Sequence, residues 1–243
     1  MKTVAFAKRC AKEILRDPLN LMFGLGFPII LLLLLSAIQA NVPVDLFKIE
    51  HLAPGVAVFG LSFMTLFSAT LIAKDRESAF LERLYTTPLK PVDFILGYML
   101  PCLPIAIAQS AISYLVAFFL GLRVSLNIVY AILLMIPISA LYISMGLLFG
   151  SILNVKQVGG ICGALLTNLS AWLSGVWFDL ELVGGAFVKI ADILPFSHAV
   201  DLERAAISGD FDGILPHLLV VLGYAAIMAV SAILLFLRQM KKR

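Results

Sequence analysis

Residues 74–93 read KDRESAFLERLYTTPLKPVD, and this charged stretch lies between two runs, Ala53 to Ala73 and Phe94 to Leu120, that hold no Asp, Glu, Lys or Arg. A helix rising about 1.5 Å per residue needs roughly 20 apolar residues to cross a hydrocarbon layer about 30 Å thick, and both flanks reach that length. The stretch therefore reads as a loop between two membrane crossings, and the rest of the chain follows from that frame.

Apolar residues make up 61% of the 243, charged residues only 14%, and mean hydropathy is +1.03, far from a soluble domain. Four further apolar runs bring the expected crossings to six: residues 19–40, 53–73, 94–120, 126–153, 158–178 and 214–237. Unbroken runs of this length are helices and not barrel strands. The expected fold is an all-α integral membrane protein, one transmembrane domain over residues 1–243, with little left for a soluble domain. The first run begins at Leu19 and is long enough to span, so it reads as a retained anchor and not a cleaved signal.

With both termini on one side, that side carries 14 of the 18 Lys and Arg residues; only Lys48, Arg123, Lys189 and Arg204 fall on the other. The positive-inside rule puts both termini and the 74–93 segment in the cytoplasm of a multi-pass cell-membrane protein. The net charge of +3 gives no reason to expect a nucleic-acid partner, because the basic residues sit where anionic lipid headgroups lie. Cys10, Cys102 and Cys162 have no paired spacing and read as small apolar filler.

Before the first span, residues 1–18 form an interfacial helix: Val4, Ala7, Ala11, Ile14 and Leu15 recur at helical spacing and Lys8, Arg9, Lys12 and Arg16 take the other side, until Asp17-Pro18 breaks it. In the 74–93 loop, Asp75 is placed to cap a short helix whose Phe80, Leu81, Leu84 and Tyr85 form an apolar ridge, flanked by Glu77, Glu82 and Arg83 and ended by Thr87-Pro88. Such a ridge fits either lipid headgroups or a groove on a protein partner.

These residues carry a family resemblance. Glu77, Leu81-Glu82-Arg83-Leu84, Thr87-Pro88 and Gly97 resemble the cytoplasmic loop of ABC-2 type transporter permeases, the membrane subunits of ATP-binding-cassette exporters. Arg16-Asp17-Pro18 with Pro28, Leu173-Ser174-Gly175-Val176, and Leu194 to Val200 with Arg204 to Gly209 are similar to further stretches of that family, in the same order. Ser78-Ala79, Tyr98 and Asp179 depart from its usual Gly-Thr, Lys and Pro. The resemblance implies a coupling helix at Glu77 to Thr87, with contacts from Glu77, Phe80, Leu81, Glu82, Arg83, Leu84, Tyr85 and Thr87, docked in a separate ATPase subunit. It implies two such ATPase subunits, which bind ATP and Mg, and a second permease subunit, expected to be a second copy of this chain. The chain itself has no G-x-x-x-x-G-K-[ST] phosphate cradle, so no catalytic residue and no cofactor of its own are expected.

Within the spans, Gly160, Gly163, Thr167, Ser170, Ala171 and Ser174 share about a third of one helix face, bordered by Asn168, and Ser62, Thr65 and Ser68 line a similar face on the second span. Close packing at a dimer seam and a substrate path both fit this pattern, and the resemblance supports a path between the second and fifth spans. No charge lies inside a span, which argues against a proton or ion relay and for an apolar or amphipathic cargo: a drug, lipid or peptide-like molecule. An ATP-independent transporter or channel is the alternative function class. The connection 179–213 contains a 13-residue apolar stretch, Leu182 to Leu194, too short to span, which suits a re-entrant outer hairpin; Ser197 is placed to cap a helix running through Arg204. Neither His198 with Asp201 nor Asp210 with Asp212 completes a metal site.

Overall fold

The computed structural model describes residues 2–42, 47–78, 80, 83 and 91–241, and all regular structure among them is helical. Its elements are α1 (Lys2–Leu15), α2 (Pro18–Asn41), α3 (Ile49–Glu77), α4 (Pro91–Phe119), α5 (Asn127–Ile152), α6 (Val155–Val158), a π-helical segment π1 (Gly159–Leu166), α7 (Thr167–Leu173), a 3-10 turn (Leu180–Leu182), α8 (Gly185–Ile193), α9 (Pro195–Ser208) and α10 (Phe211–Lys241). Among the described residues five helices, α2, α3, α4, α5 and α10, are long and apolar enough to cross a membrane.

The expected unbroken span over 158–178 is corrected. The chain is helical from Val155 to Leu173, but residues 159–166 take π geometry and the helix stops at Leu173. Gly159, Gly160 and Gly163 restrain the backbone weakly, and the Thr167 hydroxyl donates to the carbonyl five residues back, Cys162, at 3.0 Å, following the wider turn. Gly175, at φ +69°, then reverses the chain.

Helix α3 is the axis of the bundle. Its residues from Leu52 to Ala73 are nearly all buried, while α2 and α10 keep most of their apolar surface outward, as lipid-facing helices do. What lets α5 lie closest to α3 is a pair of glycines one turn apart. A Cβ on Gly146 would stand 2.4 Å from the Thr65 carbonyl oxygen, and one on Gly150 2.5 Å from that of Ala69. The backbones thus meet where side chains are missing, as small-residue packing in membranes requires. Gly160, expected on such a face, has open space around it.

At the end of the bundle away from α1, α8 and α9 form a helical hairpin, with α9 packed on α10, α5 and α3. The expected Ser197 cap is also corrected: α9 starts at Pro195, and the buried Ser197 hydroxyl donates to the Ala191 carbonyl at 2.8 Å. Proline suits the first turn because its missing N–H is not needed there. Glu203, fully buried, accepts from the Tyr114 hydroxyl of α4 at 2.6 Å, and burial pushes its carboxyl well above the usual glutamate range. Arg204 donates to the Gly175 carbonyl at 2.8 Å and faces Asp201 at 3.6 Å, closing the turn after α7 onto α9. His198 bridges the Asp192 carbonyl and the His217 ring, at 2.8 and 2.9 Å, and no cluster of three metal-ligating side chains occurs among the described residues.

Two tests follow from this packing. Gly150→Ala lowers stability by roughly 1–3 kcal/mol through the backbone clash, whereas Gly160→Ala is neutral or gains up to about 1 kcal/mol from reduced chain entropy. A thiol-reactive dye reads both on heating, because the three cysteines are free and buried. Glu203 binds its proton more tightly folded than unfolded, so its contribution is complete below about pH 4.3 and is lost as pH rises through the folded value. Glu203→Gln therefore shows a flatter stability–pH curve than the parent in the same assay.

Candidate functional site

The first four residues of the charged stretch end α3, and each grips a different part of the molecule. Lys74 faces Asp17, the N-cap of α2, at 3.4 Å. Asp75, 1% exposed, receives both terminal nitrogens of Arg9 in α1 at 2.5 and 2.6 Å and the Tyr98 hydroxyl of α4 at 2.7 Å. Arg76 donates to the last carbonyls of α5, Gly150 at 2.9 Å and Leu153 at 3.2 Å. Glu77 accepts the N–H of Val155, at the start of α6, at 2.9 Å. Arg76 and Glu77 thereby satisfy a helix C-terminus and a helix N-terminus, with the charge signs that the helix dipoles favour.

Asp75 does not cap a short helix, as expected, because α3 continues through Glu77 and turns Asp75 inward. A carboxylate buried this deeply needs a full set of donors, and a forked guanidinium plus a phenol supplies them. Burial works against the Arg9 charge, but its hydrogen bonds and attraction to Asp75 outweigh this and hold the guanidinium above its ordinary pKa. Arg9 also pairs with Glu13 at 2.7 Å and lies 4.4 Å over the ring of Phe80. One side chain thus joins α1, the end of α3 and the loop beyond it.

The docked face of α1 is Phe6, Cys10 and Ile14; of the expected stripe only Ile14 belongs to it, while Val4 and Leu15 point outward. Phe6 packs edge-on to Phe94 and Tyr98, in the space left by Gly97, where a Cβ would come within 2.1 Å of the Phe6 ring. Thr3 adds a 2.8 Å bond to Asp93. Burial raises the Cys10 thiol to about 12, so it is packing and not a reactive group.

Of the residues expected to meet an ATPase, Glu77 is engaged at α6, Phe80 lies half-buried under Arg9, and Arg83 is exposed. Leu81, Glu82, Leu84, Tyr85 and Thr87 lie outside the described residues. Of those expected on a path or seam, Ser62, Thr65 and Ser68 are buried on α3, where Thr65 donates to the Tyr142 carbonyl of α5 at 2.8 Å, and Ser68 lies 2.8 Å from the Met64 carbonyl of its own helix and 3.2 Å from that of Ile143 in α5. At one end of its contact with the fifth segment, α3 packs Ala69 and Ala73 on Val158 and Cys162. Thr167, Ser170 and Ser174 are buried and bonded to nearby helix carbonyls, while Asn168 is exposed. Sequence reasoning did not assign Asp75 to Arg9 and Tyr98; the available signal was an acid set between Lys74 and Arg76 at the edge of an apolar run, with a tyrosine at a position where the resembling family usually has lysine.

Comparison with known proteins identifies the family. Residues 1–207 match the family model described as ABC-2 type transporter. A protein of Porphyra purpurea named as a transport permease, ycf38, is 27% identical over 210 residues, covering 81% of this chain and 70% of its own length. ABC transporter G family member 20 of Dictyostelium discoideum is 26% identical over 165 residues, covering 64% of this chain, and the chain spans 22% of that relative's length. The chain belongs to the ABC-2 type transporter family, as a multi-pass membrane transport subunit.

Proposed function

We propose that this chain is the permease subunit of an ATP-driven exporter that moves an apolar or amphipathic substrate, drug, lipid or peptide-like, out across the cell membrane. In this reading the α6–π1–α7 segment is a sixth crossing, and both termini and the 74–93 loop are cytoplasmic. Two separate ATPase subunits hold ATP and Mg and do the hydrolysis, and two copies of this chain pair. The positive-inside count supports the orientation, and the absence of a phosphate cradle supports a borrowed motor.

The observation that carries the reading is the joint at Lys74 to Glu77. A loop that receives force from a partner transmits it only if its base is stiff and touches the helices that must move. Here the base touches α1, α2, α4, α5 and α6 through charge-assisted hydrogen bonds, and Phe80, the first ridge residue beyond it, is clasped by Arg9. Leu81, Glu82, Leu84, Tyr85 and Thr87 complete the proposed ATPase contact. Ser62, Thr65, Ser68, Thr167, Asn168, Ser170 and Ser174 remain our candidates for the substrate path or the seam between permeases, with the exposed side of α7 at Asn168 as the outward-facing part.

Tagged chain purified from native membranes is expected to bring an ATPase subunit with it; its absence sinks the proposal. Leu81→Asp and Glu82→Lys should cut that capture about tenfold or more while membrane insertion is unchanged, as loss of interface anchors does. Arg9→Met strands the buried Asp75 charge and costs stability toward the low end of roughly 3–5 kcal/mol, because Arg9 itself is 36% exposed. Adding Asp75→Asn removes the stranded charge and recovers folded yield, yet the ATPase rate of the complex is expected to lose its dependence on the permease. Full recovery of that dependence would show the joint to be structural only.

A further inference from the structure

Helix α1 has three sectors. Phe6, Cys10 and Ile14 are buried on the bundle; Val4 and Leu15 are 65% and 66% exposed; and Lys8 and Lys12, continued by Arg16 in the turn after α1, form a row at i, i+4 and i+8. At about 100° per residue, Val4, Ala11 and Leu15 fall within roughly 40° of one another, and the basic row fills the adjoining roughly 80°. Alongside that row runs an open surface cleft of about 560 Å³, bordered among the described residues by Ala5, Lys8, Arg9, Lys12, Glu13 and Arg16.

The charges in the cleft are unequal in their commitments. Arg9 and Glu13 are bonded to each other, and Arg9 also to Asp75, so they nearly cancel. Lys8, Lys12 and Arg16 make no ion pair among the described residues. Like charges one turn apart repel and weaken a helix, so the row favours an anion laid across it. The neighbouring sector adds a second demand. Large apolar side chains at Val4 and Leu15 gain by leaving water, and α2 begins at Pro18, so α1 lies at the level where the first span enters the membrane. A soluble anion or an acidic protein surface answers the charge alone; a molecule with an anionic head and apolar tails answers both.

We infer that the cleft on α1 binds the headgroup of an anionic phospholipid, with its acyl chains along Val4 and Leu15. This goes beyond the ATPase reading and does not depend on it. Arg9 is common to the cleft and to the joint at Asp75, so the bound headgroup lies against the residue that ties α1 to α3.

Native mass spectrometry of the full chain in detergent tests this, with phosphatidylglycerol and phosphatidylcholine added separately at equal concentration, and glycerol 3-phosphate as a head-only probe. The parent is expected to retain phosphatidylglycerol over phosphatidylcholine by about tenfold or more, given three basic residues near the headgroup. The triple variant Lys8→Gln, Lys12→Gln, Arg16→Gln should fall to within about twofold, while Lys8→Arg with Lys12→Arg keeps the preference, since the charge remains. Val4→Asn with Leu15→Asn should lower retention of both lipids. Equal retention of the two lipids by the parent, or unchanged preference in the triple glutamine variant, overturns the inference. Displacement of phosphatidylglycerol by stoichiometric glycerol 3-phosphate would assign the row to a soluble anion, and displacement by the ATPase subunit would assign it to the protein; either result overturns it too.

Discussion

The structure hangs on one buried carboxylate. Asp75 sits at the end of the most enclosed helix, and its two oxygens are shared between a guanidinium on α1 and a phenol on α4. An isolated charge at that depth is far too costly to keep, so its partners are obligatory, and they fix where α1 lies and how α4 starts. The bonds of Lys74, Arg76 and Glu77 then follow from helical geometry, since successive residues point about 100° apart. Four consecutive polar residues on one helix end can grip elements on every side because the helix is central.

The same device recurs at the opposite end of α4. Tyr98 and Tyr114 are 16 residues apart, about 24 Å along the helix, and each donates from a buried hydroxyl to a buried carboxylate of another element, Asp75 in one case and Glu203 in the other. The environments differ in one respect. Asp75 has a cation beside it, whereas among the described residues one oxygen of Glu203 has no partner and Tyr114 is its sole donor. Burial is what holds the Glu203 proton tightly, so this end of the bundle responds to pH through a neutral acid.

Much of the fold was legible in the chain because a membrane imposes long apolar runs that composition alone reveals. Spans 19–40, 94–120, 126–153 and 214–237 correspond to α2, α4, α5 and α10 within a few residues. Misreadings arose where tertiary bonds outweigh local pattern. Asp75 resembles a helix cap from its neighbours in sequence, but Arg9 and Tyr98, 66 and 23 residues away, turn it inward. The apolar stripe of α1 runs through Val4 and Leu15 in the sequence because a helix at a membrane has two apolar contacts, one to lipid and one to protein, and periodicity does not separate them. Spacing places Gly160 on a small-residue face of the fifth segment, yet the closest backbone approach belongs to Gly146 and Gly150, since which glycine meets another backbone depends on the partner helix.

The hydroxyl side chains show a related limit. Ser62, Thr65 and Ser68 line one face of α3 as their spacing requires, but periodicity fixes a face and not the neighbour it meets. The neighbour is α5, whose glycines bring backbone carbonyls close enough to accept from Thr65 and Ser68. Close approach and hydrogen bonding are thus one arrangement: removing side chains from α5 exposes its carbonyls, and the hydroxyls of α3 satisfy them. A hydroxyl stripe in an apolar helix accordingly has two physical uses, wetting a path or fastening two backbones. Along Thr65 to Ser68 it fastens, which leaves the Asn168 side of α7 as the polar position of the fifth segment that faces outward from this chain.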